Sequence, residues 1–237
     1  MAAATASAIK RAFRKRVKDA LKGLETENVG LQSSVWTKTI TSLPEYWKAD
    51  RISVYLSMPK GELQTAGLVA DAFKRGKSLF IPYIHHLPPT AAPIPIPPHG
   101  KPVPTSQMDM LSLSSPQDYS TLPPDAWGIP SIPSTSVSSR QDCLQDKKGL
   151  DLVILPGVAF GVDGRRLGHG KGYYDMWLAR YFEEVGRERG MPVLVGAALK
   201  EQVIEAGRVP VDETDWEVDV VVTGDGRVIR RGEGVDV

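Results

Sequence analysis

Residues Leu167-Gly168-His169-Gly170-Lys171-Gly172-Tyr173-Tyr174-Asp175 alternate three glycines with a histidine and a lysine. They stand between the apolar run Leu150–Leu155 and a helical pattern that starts at Tyr173. This arrangement admits few folds. The chain must leave a buried strand, turn through positions free of side chains, and enter a helix. Glycine lets backbone N–H groups approach an anion and adopt positive φ. The N-terminus of the following helix adds oriented donors and partial positive charge. Arg166 and Lys171 add full charges, so the segment reads as a phosphate cradle. Its spacing is neither that of the P-loop nor that of the dinucleotide GxGxxG turn.

The rest of the chain supplies a frame for that turn. Ile52–Leu56, Ser78–Ile81, Leu150–Leu155 and Pro192–Leu199 are short apolar runs of the kind that form strands covered on both faces. Helical patterns lie between or before them. Residues 6–24 carry Ile9, Phe13, Val17, Ala20 and Leu24 on one face and Lys10, Arg14 and Lys18 on another. Further helices are expected over 32–43, ended by Pro44, over 65–75, and over 173–184. Asp219–Thr223 and Arg227–Ile229 around Gly224-Asp225-Gly226 read as a hairpin. Alternation of strand and helix predicts one α/β domain over residues 1–237: a Rossmann-like three-layer α/β/α sandwich with a mostly parallel central sheet. Ligands of such sheets bind beyond the carboxyl ends of the strands, where the glycine turn lies.

Residues 82–104 break the pattern. They hold nine prolines, with His85 and His86 adjacent and His99 further on. The expectation is an extended loop insertion. Docking of an SH3-type partner and a histidine metal site are the alternatives; neither has the spacing it needs. Trp36, Trp47 and Trp177 read as packed residues.

Composition removes several function classes. A net charge of +1 gives no general attraction to nucleic acid or membrane, and no apolar run is long enough to span a bilayer. Cys143 is the single cysteine, so no intrachain disulfide forms and a reducing compartment is expected. The first twenty residues are alanine-rich and basic, with Asp19 their first acid. That is also the composition of a mitochondrial presequence. The basic run continues into the first helix without a cleavage-like region. A cytoplasmic protein is therefore expected, with the mitochondrion as the alternative.

The glycine segment, the strand leading to Pro156-Gly157-Val158-Ala159-Phe160 and several other stretches together resemble the 5-formyltetrahydrofolate cyclo-ligase family, also called methenyltetrahydrofolate synthetases. In chain order those stretches are Lys10-Arg11 with Arg14, Ile52–Met58 with Glu62, Phe80-Ile81-Pro82, Met108-Asp109-Met110, Trp127-Gly128-Ile129-Pro130, and Val209-Pro210-Val211 followed by Asp215. The resemblance implies conversion of 5-formyltetrahydrofolate, with or without a polyglutamate tail, to 5,10-methenyltetrahydrofolate by a monomer, with ATP as co-substrate and Mg²⁺ as cofactor. It implies ATP contacts from Lys10, Arg14, Arg166, Leu167, Gly168, His169, Gly170, Lys171, Gly172, Tyr173 and Tyr174. Lys171 and Arg166 would be the catalytic cations. Leu56, Glu62, Trp127, His169, Gly170, Lys171, Gly172 and Tyr173 would meet the folate. Asp175 and Asp215 would hold the metal. His169 stands where many members of the family carry arginine.

The residues alone leave other readings open. Lys171 is an exposed turn lysine if no anion binds there. Asp175 is equally an acid at a helix N-terminus, Lys10 and Arg14 a solvated basic face, and Glu62 an exposed residue before a helix. A sugar-phosphate or coenzyme A protein, or a nucleotide-binding partner without catalysis, fits the fold as well.

Overall fold

The computed structural model describes residues 5–87, 105–145 and 147–233. Most of the proline-rich insertion lies outside these residues, His99 included. Three helices come first: α1 (Ala6–Leu21), α2 (Thr26–Ile40) and α3 (Pro44–Lys48). Pro44 opens α3 rather than merely ending α2, because a proline in the first turn of a helix forfeits no internal hydrogen bond. Then come β1 (Arg51–Val54), α4 (Ala66–Lys74), β2 (Ser78–His86), β3 (Ser106–Leu113), α5 (Pro116–Thr121), β4 (Leu152–Leu155), β5 (Ala159–Gly161) and β6 (Arg166–Leu167). The chain ends with α6 (Tyr173–Tyr181), α7 (Arg187–Arg189), β7 (Val193–Ala198), β8 (Val203–Ile204), β9 (Val220–Thr223) and β10 (Val228–Arg230).

Seven strands form one sheet in the order β10-β9-β7-β4-β1-β2-β3. Its five inner strands are parallel, and the edge strands β3 and β10 run antiparallel to their neighbours. Strand periodicity sends alternate residues of β4 into two separate cores. Leu152 and Ile154 join Ile52, Val54, Val195 and Val222 beneath α2 to α4, where Trp36, Ile40, Tyr46 and Leu68 are buried. Val153 and Leu155 point the other way, onto Trp177, Leu178 and Tyr181 of α6. This is the expected three-layer sandwich. The small sheet β6-β5-β8, which the apolar pattern does not announce, carries the chain from β4 towards the glycine turn.

Three expectations need correction. Residues 82–86 are not loop: β2 runs to His86 and pairs with β3 along its length, Pro82 opposite Met110. The β1 ladder has ended at Phe80, so the donor that Pro82 lacks breaks no bond on that side. His85 and His86 are therefore strand residues, the first 2.7 Å from Asp109 and the second 3.3 Å from the Ser106 hydroxyl. The first helix stops at Leu21, three residues early. Trp47 is exposed, with the Arg75 guanidinium 4.1 Å above its ring. Among the described residues no helix is long and apolar enough to cross a membrane.

Candidate active site

The glycine turn lies where the sequence places it, between β6 and α6. Gly172, at φ +73°, precedes the first helical residue, and no side chain caps the helix, so its first N–H groups remain available. Gly170 needs its missing side chain on two counts. Its φ is +104°, and a Cβ there would come 3.3 Å from the Arg14 guanidinium carbon. Arg14 reaches across from α1 and donates from Nε to the Gly168 carbonyl at 2.7 Å. Lys171 is exposed and forms no hydrogen bond or ion pair among the described residues.

Arg166 differs from its expected role. It is 3 % exposed, and its Nη2 donates to Asp175 Oδ1 at 2.7 Å. Its Nη1 lies 3.3 Å from the Pro156 carbonyl and its guanidinium 5.8 Å from the Tyr174 ring centre. The side chain is a buried strut that fixes the first turn of α6. It is not a free cation. Trp216 N also donates to Asp175 Oδ1, at 3.2 Å.

Lys10, too, is occupied. It is 5 % exposed and bonds both Asp212, at 2.7 Å, and Asp215. Asp212 N donates to the same Asp215 oxygen at 2.7 Å. Burial opposes ionisation of Asp212, but hydrogen bonds from Lys10 and Thr214 outweigh it and hold the carboxyl below the ordinary range. Asp212 is a site residue that the motif reading missed. The signal was present: Asp212 and Asp215, with Glu213 between them, crowd three acids into one short turn. Lys18, one helical turn beyond Arg14, was noted on the basic face but not as a site residue; its charge acts on His169.

Glu62 is not exposed, and it forms no ion pair among the described residues. It is 6 % exposed, and its Oε1 accepts from Met58 N at 2.6 Å. Gln64 fastens the same loop by donating to the Met58 and Glu62 carbonyls at 2.9 and 3.0 Å. The charge of Glu62 acts on Tyr55 and Tyr174, which places it between the end of β1 and the start of α6. Burial pushes its carboxyl up to about 7, although the Met58 N–H pulls the other way. An acid raised in the folded state binds a proton more tightly there than when unfolded. Stability is therefore full below the unfolded value and declines as pH rises from about 4.5 to about 7. Glu62→Gln keeps an acceptor for Met58 and removes this penalty. At pH 8 the variant gains stability, on the order of 2–3 kcal/mol, and at pH 4 it gains none; thermal unfolding of both proteins across that range checks this.

Leu56 is buried at the end of β1, and Tyr173 and Tyr174 begin α6. Trp127 stands apart. It is 75 % exposed on a turn whose N–H groups at 127 and 129 donate to Asp125 Oδ1. That turn rests on the loop carrying Glu62, since a Cβ on Gly128 would come 2.9 Å from Pro59.

Asp175 and Asp215 each commit one carboxylate oxygen to protein donors. The other oxygen of each, Asp175 Oδ2 and Asp215 Oδ1, takes no hydrogen bond among the described residues. Both act electrostatically on Arg14. Two spare carboxylate oxygens beside a cationic glycine turn could serve a small hard cation that took its other ligands from a bound anion and water. Among the described residues no three His, Cys, Asp or Glu side chains cluster into a self-sufficient metal site.

A protein-family model described as the 5-formyltetrahydrofolate cyclo-ligase family matches residues 6–224. The mouse protein named 5-formyltetrahydrofolate cyclo-ligase is 35 % identical over 225 residues, 95 % of this chain and 98 % of that protein. The protein of Arabidopsis thaliana named 5-formyltetrahydrofolate cyclo-ligase, mitochondrial, is 29 % identical and shares 92 % of this chain and 75 % of its own. The solved structure of Aquifex aeolicus 5,10-methenyltetrahydrofolate synthetase superposes with a TM-score of 0.65 at 28 % identity, covering 97 % of this chain and 96 % of that one. With a match that spans every element from α1 to β9, the chain belongs to the 5-formyltetrahydrofolate cyclo-ligase family.

Proposed function

We propose that the protein converts 5-formyltetrahydrofolate to 5,10-methenyltetrahydrofolate, with ATP as phosphoryl donor, Asp175 and Asp215 as the residues that would hold a magnesium ion, and ADP and phosphate as products. The observation that carries this reading is the free Lys171 ammonium beside the uncapped start of α6, with one spare oxygen on each of two nearby carboxylates. An amide oxygen is a poor leaving group. Transfer of the terminal phosphoryl group to the formyl oxygen converts it into a good one and makes the formyl carbon electrophilic. N10 of the same substrate then attacks that carbon and gives up its proton to solvent, and the C–O bond breaks as phosphate departs. No covalent nucleophile of the protein is required, which agrees with a site built of cations, backbone donors and carboxylates.

The chain's own residues do the positioning and the charge stabilisation that such a transfer needs. The turn N–H groups and Lys171 follow negative charge as it moves onto the transferred group. Arg14 holds the turn closed through the Gly168 carbonyl. Arg166 and Lys10 orient the two carboxylates. A bound magnesium ion would neutralise phosphate charge. Glu62, facing Tyr174 and 6 % exposed, supplies an oxygen acceptor for folate ring N–H groups. Because Arg166 and Lys10 already balance Asp175 and Asp215, these carboxylates alone would hold a magnesium ion weakly. The reading predicts a cytoplasmic monomer, with a mitochondrial address as the alternative.

The test is the absorbance of the methenyl product after mixing purified protein with 5-formyltetrahydrofolate. Product is expected only when ATP and a divalent cation are both present. Product without ATP, or none with any cation, refutes the proposal.

A further inference from the structure

The Lys10 ammonium, 5 % exposed at the residue level, serves two carboxylates at once. It lies 2.7 Å from Asp212 Oδ2 and also bonds Asp215 Oδ2. The other oxygen of Asp212 is taken as well. Thr214 donates to Oδ1 from its backbone N–H at 3.0 Å and from its hydroxyl at 2.6 Å. Both oxygens of Asp212 are thus committed to protein donors. Asp215 commits only Oδ2, which Lys10 and the Asp212 N–H approach together, the latter at 2.7 Å. The same turn reaches Asp175, whose Oδ1 accepts from Trp216 N at 3.2 Å.

A charge count shows what Asp212 adds. Arg166 answers Asp175 at 2.7 Å, and Arg14 acts on Asp175 and Asp215 from α1. With Lys10 on Asp215 alone, three cations would face two carboxylates, and a divalent ion would meet a positive surround. Asp212 is the third carboxylate. An ammonium held between two acids leaves one negative charge over, and the bond from Asp212 N fixes which oxygen of Asp215 stays open.

We propose that Asp212 is a positioning residue for the cation site: by sharing Lys10 it leaves Asp215 negatively charged, with Oδ1 turned free of protein donors. This rests on the reading above in which Asp175 and Asp215 hold the cation. Asp212 itself touches neither metal nor substrate; it acts through Lys10 and through its own N–H. In the free protein Lys10 is a brace between two acids, and not the open ATP contact that the family resemblance implies.

The experiment is binding of Mn²⁺ alone to the full chain, without nucleotide, read by electron paramagnetic resonance of the free ion. D215N serves as reference, and only binding that D215N loses is counted. D212N keeps an acceptor for Thr214 but removes the charge. Its Kd for Mn²⁺ is expected to rise roughly tenfold, the scale of one unit charge near a divalent ion in a partly buried site. K10M/D212N removes the cation as well and restores the charge balance of the parent. Its Kd is expected to return to within about threefold of the parent's, a coupling that only neighbours show. A parent-like Kd in D212N overturns the inference. So does a double variant as weak as D212N, since a merely structural role for Asp212 gains nothing from loss of Lys10. If D212N fails to melt cooperatively, K10M alone decides: roughly tenfold tighter binding is expected, and equal or weaker binding overturns the inference. A parent that binds Mn²⁺ no better than D215N removes the cation reading itself, and this inference with it.

Discussion

Lys171→Ala should leave the protein folded and remove most of its activity. The side chain is exposed and partnerless among the described residues, so its loss changes stability by no more than about 0.5 kcal/mol, as for other surface substitutions. The glycines on either side keep the turn geometry. What disappears is an exposed positive charge at the place where, under the proposed function, phosphoryl charge develops. A charge partner of that kind is worth roughly two to four orders of magnitude in kcat. Steady-state kinetics beside a melting curve separates the two quantities. Near-normal turnover would return Lys171 to the status of a turn residue. A large fall in Tm would mean that the lysine stabilises the fold through contacts that the structure does not show.

Arg166→Ala should behave in the opposite manner. Arg166 is buried, and its side chain connects β6, the end of β4 and α6 through the Pro156 carbonyl, Tyr174 and Asp175. Removing it strands the Asp175 carboxylate. Loss of one partner of a buried pair costs about 3 kcal/mol or more, and the lower end applies because Asp175 keeps contact with water. For a chain of this length that lowers Tm by roughly 6–12 °C. Under the proposed function Asp175, no longer held, would also hold the metal less firmly. The magnesium concentration for half-maximal activity should therefore rise by more than the KM for folate. Unchanged melting would show that the pair is not formed in solution. Unchanged metal dependence would separate Asp175 from the cation.

The contrast between these two cations shows which parts of the site sequence reasoning reaches. Lys171 and Arg166 are alike in the motif, both basic and both beside the glycines. Only the fold tells them apart, because burial of Arg166 depends on strands contributed from elsewhere. The central strands were readable because a strand covered on both faces is apolar at every position, as Leu152–Leu155 is. The hairpin at Gly224–Gly226 was readable from local turn chemistry. Pro82 misled because proline within a run argues against a strand unless a neighbouring ladder has already ended, and that ending is a tertiary fact. Glu62 misled for a related reason. Its burial is set by the course of the loop that Gln64 fastens, which its own neighbours in sequence do not announce. Trp47 shows the limit on apolar residues, since packing under one arginine does not bury an indole.

The pairing of Lys10 with Asp212 joins residues 202 positions apart, and Arg14 meets Gly168 across 154. Contacts of such sequence separation form late in folding, because their loop entropy is recovered only after the intervening sheet has assembled. A nascent chain carries α1 from the start, yet Arg14 has no partner until Gly168 has left the ribosome, and Lys10 none until the turn at 212–215 has followed. Before then Lys10 is a loose charge on an amphipathic segment. Completion of the candidate site therefore arrives as a final step, after the sheet has formed. In a refolding experiment the recovery of catalysis should trail the recovery of helical signal.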